Sequence, residues 1–190
     1  MKAIWQMWKA ELSDDIVQKI ITECEYYDPV DAQIGFKGET PQTDKVRSST
    51  VRWVTPTDTN SQFITDILWR YAARANRDVF GFDINDIYDI QYTIYEAENK
   101  GHYDWHFDTF WGNPMMNDRK LSVTIQLSDS DDYEGGDFLF DSAYTPPSKQ
   151  ELRQKGTILV FPSPIMHKVE TVTKGTRKSL VAWIEGPKFK

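Results

Sequence analysis

The chain has 190 residues, with 22 lysines and arginines against 29 aspartates and glutamates, a net charge of −7. That balance repels a phosphate backbone unless the basic residues cluster, and they do not, so no nucleic-acid partner is expected. Cys24 is the only cysteine, which excludes an internal disulfide, and no apolar run approaches the roughly 18 residues of a membrane span.

The opening "MKAIWQMWKAEL" lacks a long apolar run behind a basic end, so no signal peptide is expected and the protein is placed in the reducing cytoplasm. From Ser13 the residues Ile16, Val17, Ile20, Ile21 and Cys24 recur at helical spacing, with Ser13 as N-cap and Pro29 closing the segment. The stretch 31–49, "DAQIGFKGETPQTDKVRSS", reads as a long loop or irregular hairpin, either a lid or a plain connector. A second helix follows "TDTNSQ", where Thr59 and Gln62 have capping-box spacing, and its buried face is Phe63, Ile64, Ile67, Leu68, Tyr71, Ala72 and Ala75.

Beyond Asn85 the apolar period changes to two. Seven strand candidates follow: "DIYDIQYTIYE", "HYDWHFD", "KLSVTIQLS", "DFLFDS", "GTILVFPS", "HKVETV" and "RKSLVAWIEG". Helices first and short strands afterwards predict an antiparallel sandwich or barrel with helices packed outside it. One unit spanning 1–190 is expected, with 1–80 as helical support and substrate loop and 85–186 as the β core.

Two of the three histidines lie in "GHYDWHFDTF", residues 101–110. In an extended strand His106 and Asp108 share a face, opposite Trp105 and Phe107. With the distant His167 they make the two-histidine, one-carboxylate set that holds non-haem Fe(II) and leaves positions open. Ten residues past His167, Arg177 shares a strand face with Ser179, suited to a two-pronged grip on a carboxylate. His102 and Asp104 alternate with His106 but read as rim or solvated residues. Gly135 and Gly136 read as backbone geometry.

Several segments together resemble the Fe(II)- and 2-oxoglutarate-dependent dioxygenases, and within them the prolyl 4-hydroxylase-like branch. They are "HYDWHFD", the turn "YEGGDFLF", the return segment "FPSPIMHKVETVTKGTRKSLVAW" and, upstream, "VRSSTVRWV". The resemblance implies a double-stranded β-helix, a distorted jelly-roll barrel with the N-terminal helices on its outer sheet. It implies that His106, Asp108 and His167 bind Fe(II), and that Arg177, helped by Ser179, binds the distal carboxylate of 2-oxoglutarate. Tyr95 and Gln126 would line the cosubstrate pocket, on the inward faces Gln91, Thr93, Tyr95 and Ser122, Thr124, Gln126.

Tyr103, Trp183 and Arg47 are the candidate substrate contacts, weighed against core packing for tryptophans such as Trp105 and Trp183 and plain solvation for Arg47. The implied reaction consumes O2, with ascorbate as an accessory reductant, releases succinate and carbon dioxide, and hydroxylates a prolyl residue in a peptide or protein. A free amino acid or other small molecule is the alternative substrate. Asp108 fills the position that related halogenases leave open. Arg177 stands where collagen-type relatives carry lysine, and the family's usual glycine before the motif tyrosine is displaced, Gly101 lying two residues before Tyr103. Substrate choice is expected to lie with "IGFKGETPQTDKVRSS" and "WGNPMMND". A zinc hydrolase on the same three ligands and a non-catalytic jelly-roll binding module are the competing readings.

Overall fold

Alternation of apolar and polar side chains, once the strands pair, gives each sheet one face for the helices and one for the interior. In the computed structural model, which describes residues 3–32, 43–110 and 115–190, the order begins with β1 (Gln6–Trp8), α1 (Asp14–Cys24), β2 (Val30–Asp31), α2 (Thr43–Val46), β3 (Arg47–Ser48), β4 (Thr50–Val54) and α3 (Gln62–Ala75). It continues with β5 (Asp86–Glu96), β6 (His102–His106), β7 (Asn117–Gln126), β8 (Tyr133–Gly135), β9 (Phe138–Phe140), α4 (Lys149–Leu152), β10 (Ile158–Pro162), β11 (His167–Val169) and β12 (Val172–Pro187). Among the described residues, no helix is long and apolar enough to cross a membrane.

The strands form a larger sheet in the order β1-β10-β7-β12-β5-β4-β2, with β8 attached to β12, and a smaller one in the order β3-β6-β11-β9. Every pairing is antiparallel. The outer face of the larger sheet presents Ile90, Tyr92, Leu121, Val123, Ile125, Leu180 and Ala182, all fully buried against Ile20 of α1 and Ile64 and Leu68 of α3. This is the expected jelly-roll barrel with helices outside.

The inner face carries polar side chains where a plain sandwich would carry apolar ones: Gln91, Thr93, Ser122, Gln126, Arg177 and Ser179 are all buried there. Burying so many polar groups is costly unless they are hydrogen-bonded or serve a site. An apolar plug of Phe140, Leu159, Phe161 and Ile165 closes one end of the interior.

The N-terminal third differs from the expectation of helical support alone. It also supplies β1 and β4 to the larger sheet and β3 to the smaller one. These strands are short, and β1 and β3 are edges, where local pattern carries little signal. The first expected cap is in place and the second is not. Ser13 sits at the N-cap of α1 without a side-chain bond. Ser61, not Thr59, precedes α3, and its hydroxyl donates to the carbonyls of Thr55 and Asp58. Trp105 is no core residue: it is 41% exposed, with the Lys168 ammonium 5.0 Å from its ring. Residues 33–42 and 111–114, most of the two expected substrate segments, lie outside the described residues.

Two outcomes follow from the helix-to-sheet packing. Leu68→Ala, at a site with no exposure, should cost about 2–5 kcal/mol in urea unfolding, whereas Tyr26→Ala, 80% exposed, should stay within about 0.5 kcal/mol. The buried Cys24 thiol, pushed up to about 12 by burial and then by Glu23 and Glu25, should resist iodoacetamide until the chain unfolds. Rapid labelling of the native protein would contradict this packing.

Candidate metal and cosubstrate site

The three metal-ligand candidates come together because β6 and β11 are neighbours, with His167 opposite His106 in the ladder. Their rings lie 4.2 Å apart between centroids. Each Nδ1 faces a backbone carbonyl, His106 that of Asp104 at 2.7 Å and His167 that of Ile165 at 2.8 Å. A carbonyl can only accept, so each Nδ1 carries a proton, and in the neutral ring the lone pair is then on Nε2, the atom nearest Asp108.

Asp108 reaches the same point by a route the strand pattern did not give. β6 ends at His106, and the Asp108 N–H instead donates to the Ser163 carbonyl at 2.9 Å. Its Oδ1 then lies 3.7 Å from His106 Nε2 and its Oδ2 3.5 Å from His167 Nε2. The three ligand atoms fall within 4.8 Å of one another. Ser122 on β7 donates to Asp108 Oδ2 at 2.6 Å and lies 3.0 Å from the Ser163 hydroxyl.

Burial, followed by the neighbouring His167, lowers the His106 pKa to about 3 against the pull of Asp108, so this imidazole is neutral at ordinary pH. Burial pushes the Asp108 carboxyl up, but His167, His106 and the Ser122 hydroxyl together outweigh it and hold the group below its usual value. Two lone-pair nitrogens and one ionised oxygen are the forms a divalent cation requires. The donor set therefore fits a transition metal of the Fe(II) type.

Tyr103 stacks flat on His106, with centroids 3.4 Å apart and planes 10° from parallel, and burial raises its phenol to about 12. The Arg47 guanidinium lies 4.5 Å above the Tyr103 ring, donating 2.6 Å to Gln91 Oε1 and 2.9 Å to the Ser49 hydroxyl. The solvated reading of Arg47 is overturned, since it is 6% exposed. Trp183 is buried beneath the Arg119 guanidinium, 3.9 Å away, and its Nε1 has no hydrogen-bond partner among the described residues. Arg119 also pairs with Asp89 at 2.9 Å.

Farther along β12, Arg177 stands opposite Tyr95 of β5 and Ser179 opposite Gln126 of β7. Arg177 is 5% exposed, yet its Nη1 has no hydrogen-bond partner among the described residues. A buried guanidinium donor left open is costly, and a carboxylate oxygen is the group that best satisfies it. The Arg177 guanidinium lies 5.6 Å from the Tyr95 ring. Gln126 donates to the Tyr133 hydroxyl at 3.1 Å and leaves its own Oε1 open.

Gly136 has φ +63° and lies so close that a Cβ there would meet Arg177 Cδ at 3.2 Å and Val172 at 2.8 Å. His102 and Asp104 stay outside the ligand cluster, His102 bonding the Lys100 carbonyl instead. Sequence reasoning gave Ser122 an inward face but not its bond to Asp108. It missed Ser163, Tyr133 and Arg119, whose types carry no spacing signal.

A sequence profile described as the 2OG-Fe(II) oxygenase superfamily matches residues 90–185. The chain belongs to that superfamily. A PKHD-type hydroxylase of Synechococcus sp. (strain CC9311) is 41% identical over 96 residues, covering 50% of this chain and 41% of the relative. The aligned regions span 36–41% of the length of this and two other curated relatives.

Two solved structures share the fold across nearly the whole chain. A Pseudomonas putida prolyl-4-hydroxylase has a TM-score of 0.71 at 19% identity, covering 98% of this chain and 94% of its own. A prolyl hydroxylase from Trichoplax adhaerens, in complex with a hypoxia inducible factor oxygen degradation domain peptide, has a TM-score of 0.72 at 13% identity, with coverage of 95% and 83%. The barrel is thus the double-stranded β-helix of 2-oxoglutarate oxygenases.

Ser122→Ala should weaken Mn(II) binding by roughly 10-fold or more, because it removes the bond that orients Asp108. Calorimetry on the apo protein measures it, and unchanged affinity would show that the hydroxyl does not hold the carboxylate.

Proposed function

We propose that this chain is an Fe(II)- and 2-oxoglutarate-dependent dioxygenase that hydroxylates a prolyl residue in a peptide or protein. The observation that carries the reading is the pairing inside one barrel of a neutral-imidazole and carboxylate cluster with a buried guanidinium whose Nη1 is open. A 2-oxo diacid carries the two ends that match: a keto acid for the metal and a distal carboxylate for the arginine. Superfamily membership supports this reading over a zinc hydrolase or a non-catalytic binding module.

In this reading His106, Asp108 and His167 hold Fe(II), the carbonyls fixing the proton on each Nδ1 so that Nε2 is left for the metal, and the Ser122 hydroxyl favouring the ionised Asp108. Fe(II), 2-oxoglutarate and O2 together supply the oxidising power, with one oxygen atom going to succinate and the other to the substrate carbon. Arg177 and Ser179 fix the far end of the diacid, and Tyr95 and Gln126 wall its side. Burial of Asp108, His167 and Arg177, each at 7% exposure or less, keeps water from competing for these contacts.

Tyr103, Arg47 and Trp183 face the substrate side. The open Trp183 Nε1–H is a donor suited to a peptide carbonyl. Half-exposed Trp53, its ring 6.2 Å from that of Trp183, offers apolar surface beside it for a chain longer than one residue. The prolyl substrate draws support from the names of the two prolyl hydroxylases that share the fold and from the peptide bound to the Trichoplax protein.

A panel of proline-containing peptides and free amino acids, scored for succinate release and for a mass gain of one oxygen atom, tests the substrate. Modification of a peptidyl proline is expected, and turnover of free amino acids alone would replace this reading with a small-molecule hydroxylase. Arg177→Ala should weaken 2-oxoglutarate about a hundredfold or more while leaving Mn(II) binding unchanged. Equal loss of both would contradict the anchor.

A further inference from the structure

Arg153 lies outside every motif and far from the metal ligands, on the turn that ends α4, yet its guanidinium is the most heavily engaged near the cosubstrate end. Nη1 donates to the Gly135 carbonyl at 2.7 Å and to Asp137 Oδ1 at 2.9 Å, and Nη2 donates to the Tyr133 carbonyl at 2.7 Å and to that of Ser130 at 3.2 Å. The same guanidinium lies 4.1 Å over the Tyr133 ring. Two parallel forks of this kind suit the rigid geometry of arginine and no other side chain.

The segment it grips, 130–137, runs from a short 3-10 turn at Ser130–Asp132 through β8, which pairs with β12, into the Gly135–Gly136 turn. Gly135 and Gly136 both have positive φ, at +71° and +63°, so the turn depends on outside bonds for its shape. This segment touches the anchor and its neighbour: the Gly136 backbone lies against Arg177 Cδ, and the Tyr133 hydroxyl accepts from Gln126. Arg153, Gly136, Tyr133, Gln126 and Arg177 border one small cavity.

We infer that Arg153 is a positioning residue for the cosubstrate: by clamping the Gly135–Gly136 turn and Tyr133 it sets where the Arg177 guanidinium and Gln126 stand. The inference rests on the assignment of Arg177 as the diacid anchor. Arg153 does not itself grip the diacid, since both of its terminal nitrogens are spent on protein oxygens. Arg177 has a buried Nη1 left over, and the clamp keeps it aimed.

The test compares wild type, Arg153→Gln, Arg153→Lys and Arg177→Ala, each loaded with Mn(II). Affinity is measured for 2-oxoglutarate and for 2-oxobutyrate, which keeps the keto acid and lacks the distal carboxylate. Both Arg153 variants should weaken 2-oxoglutarate about tenfold and leave 2-oxobutyrate and Mn(II) affinity as in wild type. Lysine should fail to rescue because it keeps the charge but not the fork.

Wild-type 2-oxoglutarate affinity in Arg153→Gln, alongside a loss in Arg177→Ala, would overturn the clamp and leave the anchor standing. Equal weakening of both keto acids would also overturn it, showing general damage to the fold. An unchanged affinity in Arg177→Ala would remove the anchor, and the clamp with it. Lys174→Ala serves as the control: it removes the exposed partner of Glu134, 2.9 Å away, and should change nothing.

Discussion

The candidate site depends on one rung of backbone pairing, the register that sets His106 of β6 opposite His167 of β11. Antiparallel pairing brings the two residues together although sixty positions separate them in the chain, and the carbonyls of Asp104 and Ile165 then turn both rings so that Nε2 faces inward. A slip of one residue would send one of the two rings to the opposite face of the sheet from the other. The register is held from both sides: β9 pairs with the far edge of β11, while β3 pairs with the far edge of β6 and supplies Arg47, whose guanidinium caps the Tyr103 ring stacked on His106.

The barrel is divided by chemistry. One interior end is aromatic and aliphatic, built on Phe138, Phe140 and Phe161 around His167, and it shields the buried imidazole from water. The inner face of the larger sheet is polar, and its residues group by what they touch. Ser122 and Gln91 reach across to the smaller sheet, to Asp108 and to Arg47 respectively, whereas Arg177 and Gln126 lie toward the other end against the Gly-Gly turn. Both groups stand on a single sheet, which fixes the span between them.

Much of this was legible in the sequence because the strands are long and regular. The alternation along 86–96 separates Gln91, Thr93 and Tyr95 from Ile90 and Tyr92, and the structure puts the first set inside and the second under the helices. The motif spacing brought His106, Asp108 and His167 together correctly for a partly different reason, since Asp108 lies past the strand end and is placed by Ser163. The choice between substrate contact and plain solvation for Arg47 was open in the sequence because an arginine on a short edge strand looks the same whether it points out or in; the structure buries it. The Arg153 clamp was invisible, as its partners are backbone carbonyls, which no residue type announces.

The most direct measurement is an anaerobic titration of the Fe(II)-loaded protein with 2-oxoglutarate, followed in the visible region. A weak charge-transfer band that saturates with the diacid, and is absent from His106→Ala, is the expected result. No band in the intact protein, or the same band in the variant, would contradict the placement of metal and cosubstrate on these residues.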